Sequence, residues 1–442
     1  MKKPAYRSIT SLLSALIILL AALATGLVLA KNLPVASSPK NSASEVAVPA
    51  AIRQVVCPGL PGGAARAWIQ GTSSTGSAEL TDTSGKALAG GSAQEVPASG
   101  LKLQVKPVAG KNAAAVGYVN GSGKEGENGF FADYCTAPIN RAYFLTPGTT
   151  TGNASTLHLV NPAGSPVTAR IQLWTEQGPL GAKVTQKVPA HGSTSLVLDG
   201  QAPGYNRLGV LVTAEGSGLN SWVSSTLATG AQKEGAAYSP SLAPPSLETL
   251  IPAAKVTGKT SLRVLNPSSA VATLQVSLLD AKGETPVPAP KKLQVARGAI
   301  FDIPLGGVND GLVAVKLKSD QPVVAAIFGE EIFAGHTTLA VYPSVPSGTS
   351  GAVLVNEKAA NLVFESERAQ KITLISAGTT QEIWLKPGTL TQVKVANGIW
   401  QWQSETGIYS AQLVEDPAGV FRTIGIGKAA KEISAITVKI NP

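Results

Sequence analysis

The chain has little of what catalytic and metal-binding sites are usually built from. Among 442 residues there are two cysteines, three histidines and one methionine, and 14% of side chains are charged. Cys57 and Cys135 have no neighbouring histidines, so a zinc site is a poor reading of them. No Gly-x-Ser-x-Gly elbow, no phosphate-binding Gly-Lys-Ser/Thr loop and no acidic calcium loop occurs. Helical periodicity is scarce beyond the first thirty residues. No cofactor is expected.

What the N-terminus does have is a long apolar run. Lys2, Lys3 and Arg7 precede 23 uncharged residues, Ser8 to Ala30, mostly Leu, Ile and Ala at the start. A helix of that length, at about 1.5 Å per residue, crosses a hydrocarbon core of about 30 Å. The expectation is a single transmembrane helix over residues 1–31 with its basic end in the cytoplasm and everything after Lys31 outside. The alternative is secretion after cleavage, since Ala22-Leu23-Ala24 and Val28-Leu29-Ala30 are small-residue cleavage patterns. No twin arginine precedes the run and no cysteine near its end could take a lipid. Residues 32–50, rich in Ser, Ala, Pro and Asn, read as a tether.

Gly (46) and Pro (30) make up about 17% of the chain, with turn signals closing short strands. That composition suits β-sandwiches. An internal repeat agrees: Leu157-His158-Leu159-Val160-Asn161-Pro162 recurs 105 residues later as Leu262-Arg263-Val264-Leu265-Asn266-Pro267, and Ile171 and Leu173 fall on Val276 and Leu278. A period near 100 is one sandwich domain per copy. The expected fold class is therefore all-β: tandem immunoglobulin-like β-sandwich modules after one N-terminal transmembrane helix. Four modules are drawn: 51–138, different from the others and carrying the cysteines; 139–243 and 244–346, the two clear copies; and 347–442, a degenerate copy in which Leu362 and Phe364 take the place of the Asn-Pro strand. Alternation puts Leu157, Leu159, Leu262 and Val264 inward, with His158 and Arg263 pointing away from that face.

Outside the membrane, two cysteines pair in one way, so Cys57 and Cys135 are expected to form a disulfide within the first module. Net charge is +9, but Lys2, Lys3, Arg7 and Lys31 belong to the apolar segment and its flanks, leaving 32 basic against 27 acidic residues beyond it, or +5. This mild excess permits contact with anionic wall polymers or lipid headgroups and gives no reason to invoke nucleic acid.

Each candidate site has a bland rival. His158 and His191 align with or near Arg263 and Arg297 and read as positions open to any polar group. His336, with Glu330 and Glu331 nearby, lacks a third metal ligand. Gly121-Ser122-Gly123-Lys124-Glu125-Gly126 spells a dinucleotide fingerprint with no helix to follow it. Carboxylate neighbours such as Glu415-Asp416 read as surface. Trp400 and Trp402 share a face and Trp384 precedes them; the three could form a glycan-stacking platform, although strand packing explains alternate tryptophans equally.

Val56-Cys57-Pro58-Gly59, Cys135-Thr136-Ala137-Pro138 and the Leu157 to Pro162 strand together resemble a family of actinobacterial exported, membrane-anchored proteins known only as a domain of unknown function. The resemblance implies a Gram-positive envelope location and brings no catalytic residues. The expected function is a membrane-anchored, extracytoplasmic, non-catalytic binding or scaffolding protein of the cell envelope, with cell-wall polymers, surface polymers or envelope proteins as partners. The first rival is a polysaccharide-processing enzyme with a carboxylate cleft between domains. The second is an adhesion stalk, weakened because Ile440-Asn441-Pro442 is not a wall-sorting signal.

Overall fold

A computed structural model of the chain describes residues 42–47, 50–60, 63–73, 76–123, 128–229, 232–287, 293–306, 311–356, 360–415, 421–426 and 435–440. The expected transmembrane helix, with most of the tether, lies outside the described residues. Every regular element among them is a strand. The chain divides into two units, residues 1–48 with 433–442, and residues 49–432. In the first unit, Ser42–Ala47, part of the segment read as a tether, pairs antiparallel with Ala435–Ile440.

In the second unit one topology occurs four times, in blocks 53–134, 141–239, 246–343 and 348–425. Counting strand positions along a block, one sheet runs 1-6-3-4 and the other 5-2-7-8. In the third block the first sheet contains Ser246–Val256, the front half of Gly311–Phe333 and Ala272–Leu279. Its second sheet contains Ile300–Pro304, Thr260–Leu265, the rear half of Gly311–Phe333 and His336–Pro343. The first block, expected to differ, and the fourth, expected to be degenerate, both follow the plan. They differ in the joint between the sheets: positions 6 and 7 are separate strands in the first two blocks and one continuous strand, Gly311–Phe333 or Gly398–Glu415, in the last two.

Within a block the two sheets enclose an apolar core. Leu157, Leu159, Leu262 and Val264 are all fully buried there. The recurring asparagine closes the end of this strand from inside. Asn161 Nδ2 donates to the Ser165 and Pro189 carbonyls (2.8 and 3.0 Å), and Asn266 Nδ2 donates to those of Ala270 and Val295 (2.7 and 3.1 Å). Each Oδ1 accepts from the backbone two residues on, the Asx turn that lets proline follow. In the fourth block Ser366 does related work, accepting from Gln370 Nε2 at 2.7 Å.

The blocks do not string out as tandem sandwiches; they close in a propeller-like ring. The outer face of each second sheet is apolar and is covered by the first sheet of the block before it. Val160, Trp222 and Tyr238 of the second block pack on Val56 and Cys57 of the first. Leu265, Val324 and Phe328 of the third lie on Tyr143 and Leu145 of the second. Val363, Ala411 and Leu413 of the fourth lie on Leu250, Leu279 and Ala314 of the third. Tyr118, Phe130 and Tyr134 of the first share a cluster with Trp402, Ile424 and Ile426 of the fourth, which completes the circle. Glycines sit at the closest approaches: a Cβ on Gly100 would come 3.0 Å from the Trp222 ring, and one on Gly209 would come 3.1 Å from Leu265.

This closure corrects the reading of His158 and Arg263. Both face away from the core, as expected, but the neighbouring block buries them, at 8% and 7% exposure. His158 stacks on Trp222 with centroids 5.3 Å apart, and its two ring nitrogens meet Ser195 Oγ (3.1 Å) and Ser224 Oγ (2.8 Å). Burial lowers its pKa to about 4. The Arg263 guanidinium grips Asp302 with two nitrogens, donates to the Thr146 carbonyl of the second block and lies over the Phe328 ring. Arg207 of the second block shares Asp302, at 2.8 Å. At the next interface Glu365 is fully buried, neither of its oxygens has a hydrogen bond among the described residues, and burial raises its pKa to about 7.

Leu159→Ala removes a core side chain and should cost about 2–5 kcal/mol. Arg263→Ala, which strands part of Asp302 at a buried interface, should cost about 3 kcal/mol. Urea unfolding of the two variants checks this; if Arg263→Ala cost no more than an ordinary surface change, its interface burial would be refuted.

Candidate functional site

Around the centre of the ring run the four strands at position 8: Phe130–Tyr134, Gln232–Ser239, His336–Pro343 and Phe421–Gly425. Polar links join the blocks around this centre. Tyr238 Oη donates to Asp133 Oδ2 at 2.7 Å, and Ala236 N donates to the Asn128 carbonyl at 2.8 Å, joining the second block to the first. Thr338 Oγ1 donates to the Ala236 carbonyl, joining third to second. Arg422 pairs with Glu331, joining fourth to third, and Tyr134 Oη meets Gln412 Oε1 at 3.3 Å, joining first to fourth.

Beyond the C-terminal ends of these strands the four blocks leave a cavity of about 720 Å³. Each block contributes to its wall: Asp133 and Tyr134 from the first, Asn220 and Trp222 from the second, Ser344 from the third, Trp402 and Gln403 from the fourth. Most of the wall is apolar, and its volume is in the range of small-molecule sites. Asn220 is held by its amide nitrogen, which donates to the Thr136 carbonyl (2.9 Å) and Thr136 Oγ1 (3.0 Å). Its Oδ1, with Trp222 Nε1, Ser344 Oγ and Trp402 Nε1, is buried without a hydrogen-bond partner among the described residues.

Among the described residues Asp133 is the single carboxylate lining the cavity. Burial raises its pKa to about 6, against the lowering effects of the Tyr238 hydroxyl and the Tyr134 N–H. The disulfide lies at the same place. Cys57 ends Arg53–Cys57 in one sheet of the first block, Cys135 follows Phe130–Tyr134 in the other, and the bond ties the two sheets together beside the cavity.

The tryptophans do not assemble as a surface platform. Trp400 donates to the Ala396 carbonyl from inside the fourth block, Trp402 meets Phe364 edge-on in the same core, and Trp384 stands apart on the outside, 68% exposed beneath the Lys371 ammonium. Only Trp402 reaches the cavity. His336 sits at a two-residue hairpin turn, Ala334-Gly335, while Glu330 pairs with Lys259 and Glu331 with Arg422. His191 occupies a left-handed turn, with Nδ1 2.9 Å from the Pro162 carbonyl. Among the described residues no group of three or more His, Cys, Asp or Glu could hold a metal. Gly121-Ser122-Gly123 ends a strand, not a helix; Lys124 to Gly126 and Asp416 lie outside the described residues.

The model of a family of unknown function, DUF5719, matches residues 87–396, well over half of the sequence. The chain belongs to that family. Among solved structures it is similar to one titled "Crystal Structure of Thermotoga maritima 1070", at 15% identity over 23% of this chain and 93% of the other, with a TM-score of 0.20. It is similar also to one described as structural insight into host cell surface retention of a 1.5-MDa bacterial ice-binding adhesin, at 14% identity over 66% of this chain and 98% of the other, with a TM-score of 0.11. At such scores neither likeness bears on the fold or the site. No curated protein matches the chain.

Sequence reasoning missed the site because its wall is drawn from four blocks. One signal was present: Asp133 is an acid inside the otherwise apolar Phe130–Tyr134 strand, two residues before a cysteine.

Two measurements follow from this geometry. Asp133 has a folded pKa of about 6, above its value in an unfolded chain, so its contribution is complete below pH 3.8 and is lost as pH rises through 6. Asp133→Asn should lose that slope, with a wild-type minus variant stability difference that changes by about 3 kcal/mol between pH 3.5 and 7.5 by denaturant titration. His158 acts with the opposite sign, losing stability as pH falls from 6.5 through 4, and cancels in the difference. Reduction of the Cys57–Cys135 bond, whose residues are 78 apart, should cost roughly 4 kcal/mol in the chain-entropy picture, read as a lowered melting temperature in reductant.

Proposed function

We propose that this chain is a non-catalytic binding and scaffolding protein of the bacterial cell envelope. The apolar segment Ser8 to Ala30 holds it to the membrane, and the ring stands on the outer side, in contact with wall polymers, surface polymers or other envelope proteins. The resemblance to exported actinobacterial proteins supports the location.

The observation that carries the non-catalytic reading is the acidity of the cavity. Glycoside hydrolysis in its usual form needs two carboxyl groups facing one bond, about 5–5.5 or 6.5–9.5 Å apart. Among the described residues the cavity where the four blocks meet has one, Asp133, and that one is engaged by the Tyr238 hydroxyl and the Tyr134 N–H. What remains is a concave, mainly apolar wall with amide and hydroxyl groups, suited to holding a ligand. The stalk reading loses support from the closed ring, since a stalk needs modules extended end to end.

The full chain should fractionate with membranes, and removal of residues 1–31 should release it. Protease added to intact cells should cut it outside, and cross-linking in those cells should capture envelope components. A soluble cytoplasmic full-length protein would overturn the proposal, as would hydrolysis of a wall polysaccharide that Asp133→Asn abolishes.

A further inference from the structure

We propose that the contact between the third and fourth blocks is a proton-sensitive seam in the ring, shut while Glu365 carries a proton and loosened when it ionises. Glu365 ends the second strand of its block, at the place that Val160 and Leu265 hold in the second and third blocks. Those two are fully buried aliphatics on the face that the preceding block covers. Glu365 is buried as deeply, among charges of the third block, yet neither carboxyl oxygen has a hydrogen bond among the described residues. An ionised carboxylate there has lost water and gained no donor, whereas a neutral acid loses much less.

The groups that face it come from both blocks. In its own block Tyr409 lies opposite it in the ladder and Glu367 follows two residues on; Tyr409 stays neutral, its pKa raised by burial and by the acids around it. The third block presents Lys316, Glu248, Lys318 and Glu284. Burial is the largest influence on Glu365 and raises its pKa to about 7; Lys316 draws it down, while Glu367, Glu248 and Glu284 push it up. The Lys316 ammonium is already engaged, 3.1 Å from Glu248. Because the folded pKa lies above the ordinary 4.5, the acid's contribution to the seam is complete below pH 4.5 and is lost as pH rises through 7. Hydrocarbon from Val363, Ala411 and Leu413, and the Thr423 hydroxyl, which donates to the Ala253 carbonyl at 2.6 Å, hold the blocks at either pH. Ionisation therefore loosens the seam without dissolving the ring. Both blocks wall the central cavity, so a parted seam widens it.

In the full chain Ala411→Cys places a thiol in the closed seam, and Ala314→Cys does so from the third block's side. A dithiodipyridine, which reacts with thiols in acid as well as at neutral pH, labels either one when the seam parts. Dividing each rate by that of a free cysteine peptide at the same pH leaves the opening equilibrium. With Glu365 present this equilibrium should rise on the order of a hundredfold between pH 4.5 and about pH 8. In Glu365→Leu, which restores the aliphatic of the third block, and in Glu365→Gln, which mimics the neutral acid, it should change by less than about threefold. Each variant is first shown to melt cooperatively, and either alone suffices. Asp133 and Glu367, whose pKa values are also raised, remain in both variants, so their share of any pH dependence remains too. An opening equilibrium that is flat or falls with rising pH when Glu365 is present would overturn the proposal. So would one that rises as steeply in a folded variant without it.

Discussion

A sheet that is apolar on both faces must be covered on both, and the rest of this molecule follows from that constraint. The second sheet of each block spends one face on its own core and presents another, nearly as apolar, to the outside. Val324 and Phe328 of the third block, or Val363 and Leu413 of the fourth, would expose enough hydrocarbon in isolation to drive association. The first sheet of the preceding block supplies the cover. Repeated four times with the same handedness, a head-to-tail contact of this kind either closes or grows without limit. Here it closes, because Tyr118 and Phe130 of the first block accept the fourth.

If every interface were alike, the blocks could pair in the wrong order. One ladder position distinguishes them. It lies on the second strand of each block, paired on one side with the fifth strand and on the other with the seventh. Its occupants are Trp68, His158, Arg263 and Val363. Trp68 stacks on Tyr118 and His158 stacks on Trp222, whereas Arg263 needs a carboxylate and a carbonyl and Val363 needs hydrocarbon. The partners of Trp68 and His158, and the carboxylate of Arg263, lie in the same block as the residue itself, and the hydrogen bond that reaches a neighbour is the one from Arg263 to the Thr146 carbonyl. A wrong neighbour there would leave a buried guanidinium donor unpaired, which costs more than a lost contact.

The cavity is a product of closure. Four strands whose ends meet at one side of an axis cannot fill the space beyond them with their own side chains, and prolines follow three of them, at Pro138, Pro240 and Pro346. Among the described residues the wall is polar in patches and carries a single acid, Asp133. Beside it, the Cys57–Cys135 bond holds together the two sheets of the one block that opens and completes the ring.

Composition, periodicity and the Asn-Pro repeat by themselves determined that the chain is all-β, that its units recur about every hundred residues, that Leu157, Leu159, Leu262 and Val264 are core, and that the two cysteines pair. These are local matters: alternation sets which face a side chain takes, and proline and asparagine set where a strand ends. Tertiary structure alone decided that the repeats close on one another. It also decided that the first and fourth blocks share the plan despite little likeness in sequence, that His158 and Arg263 are interface residues, and which side chains line the cavity. Alternation says that a side chain leaves one core; it says nothing about whether another block waits on the far side. That depends on contacts between residues hundreds of positions apart, as between Tyr134 and Gln412, and no pattern within a strand records them.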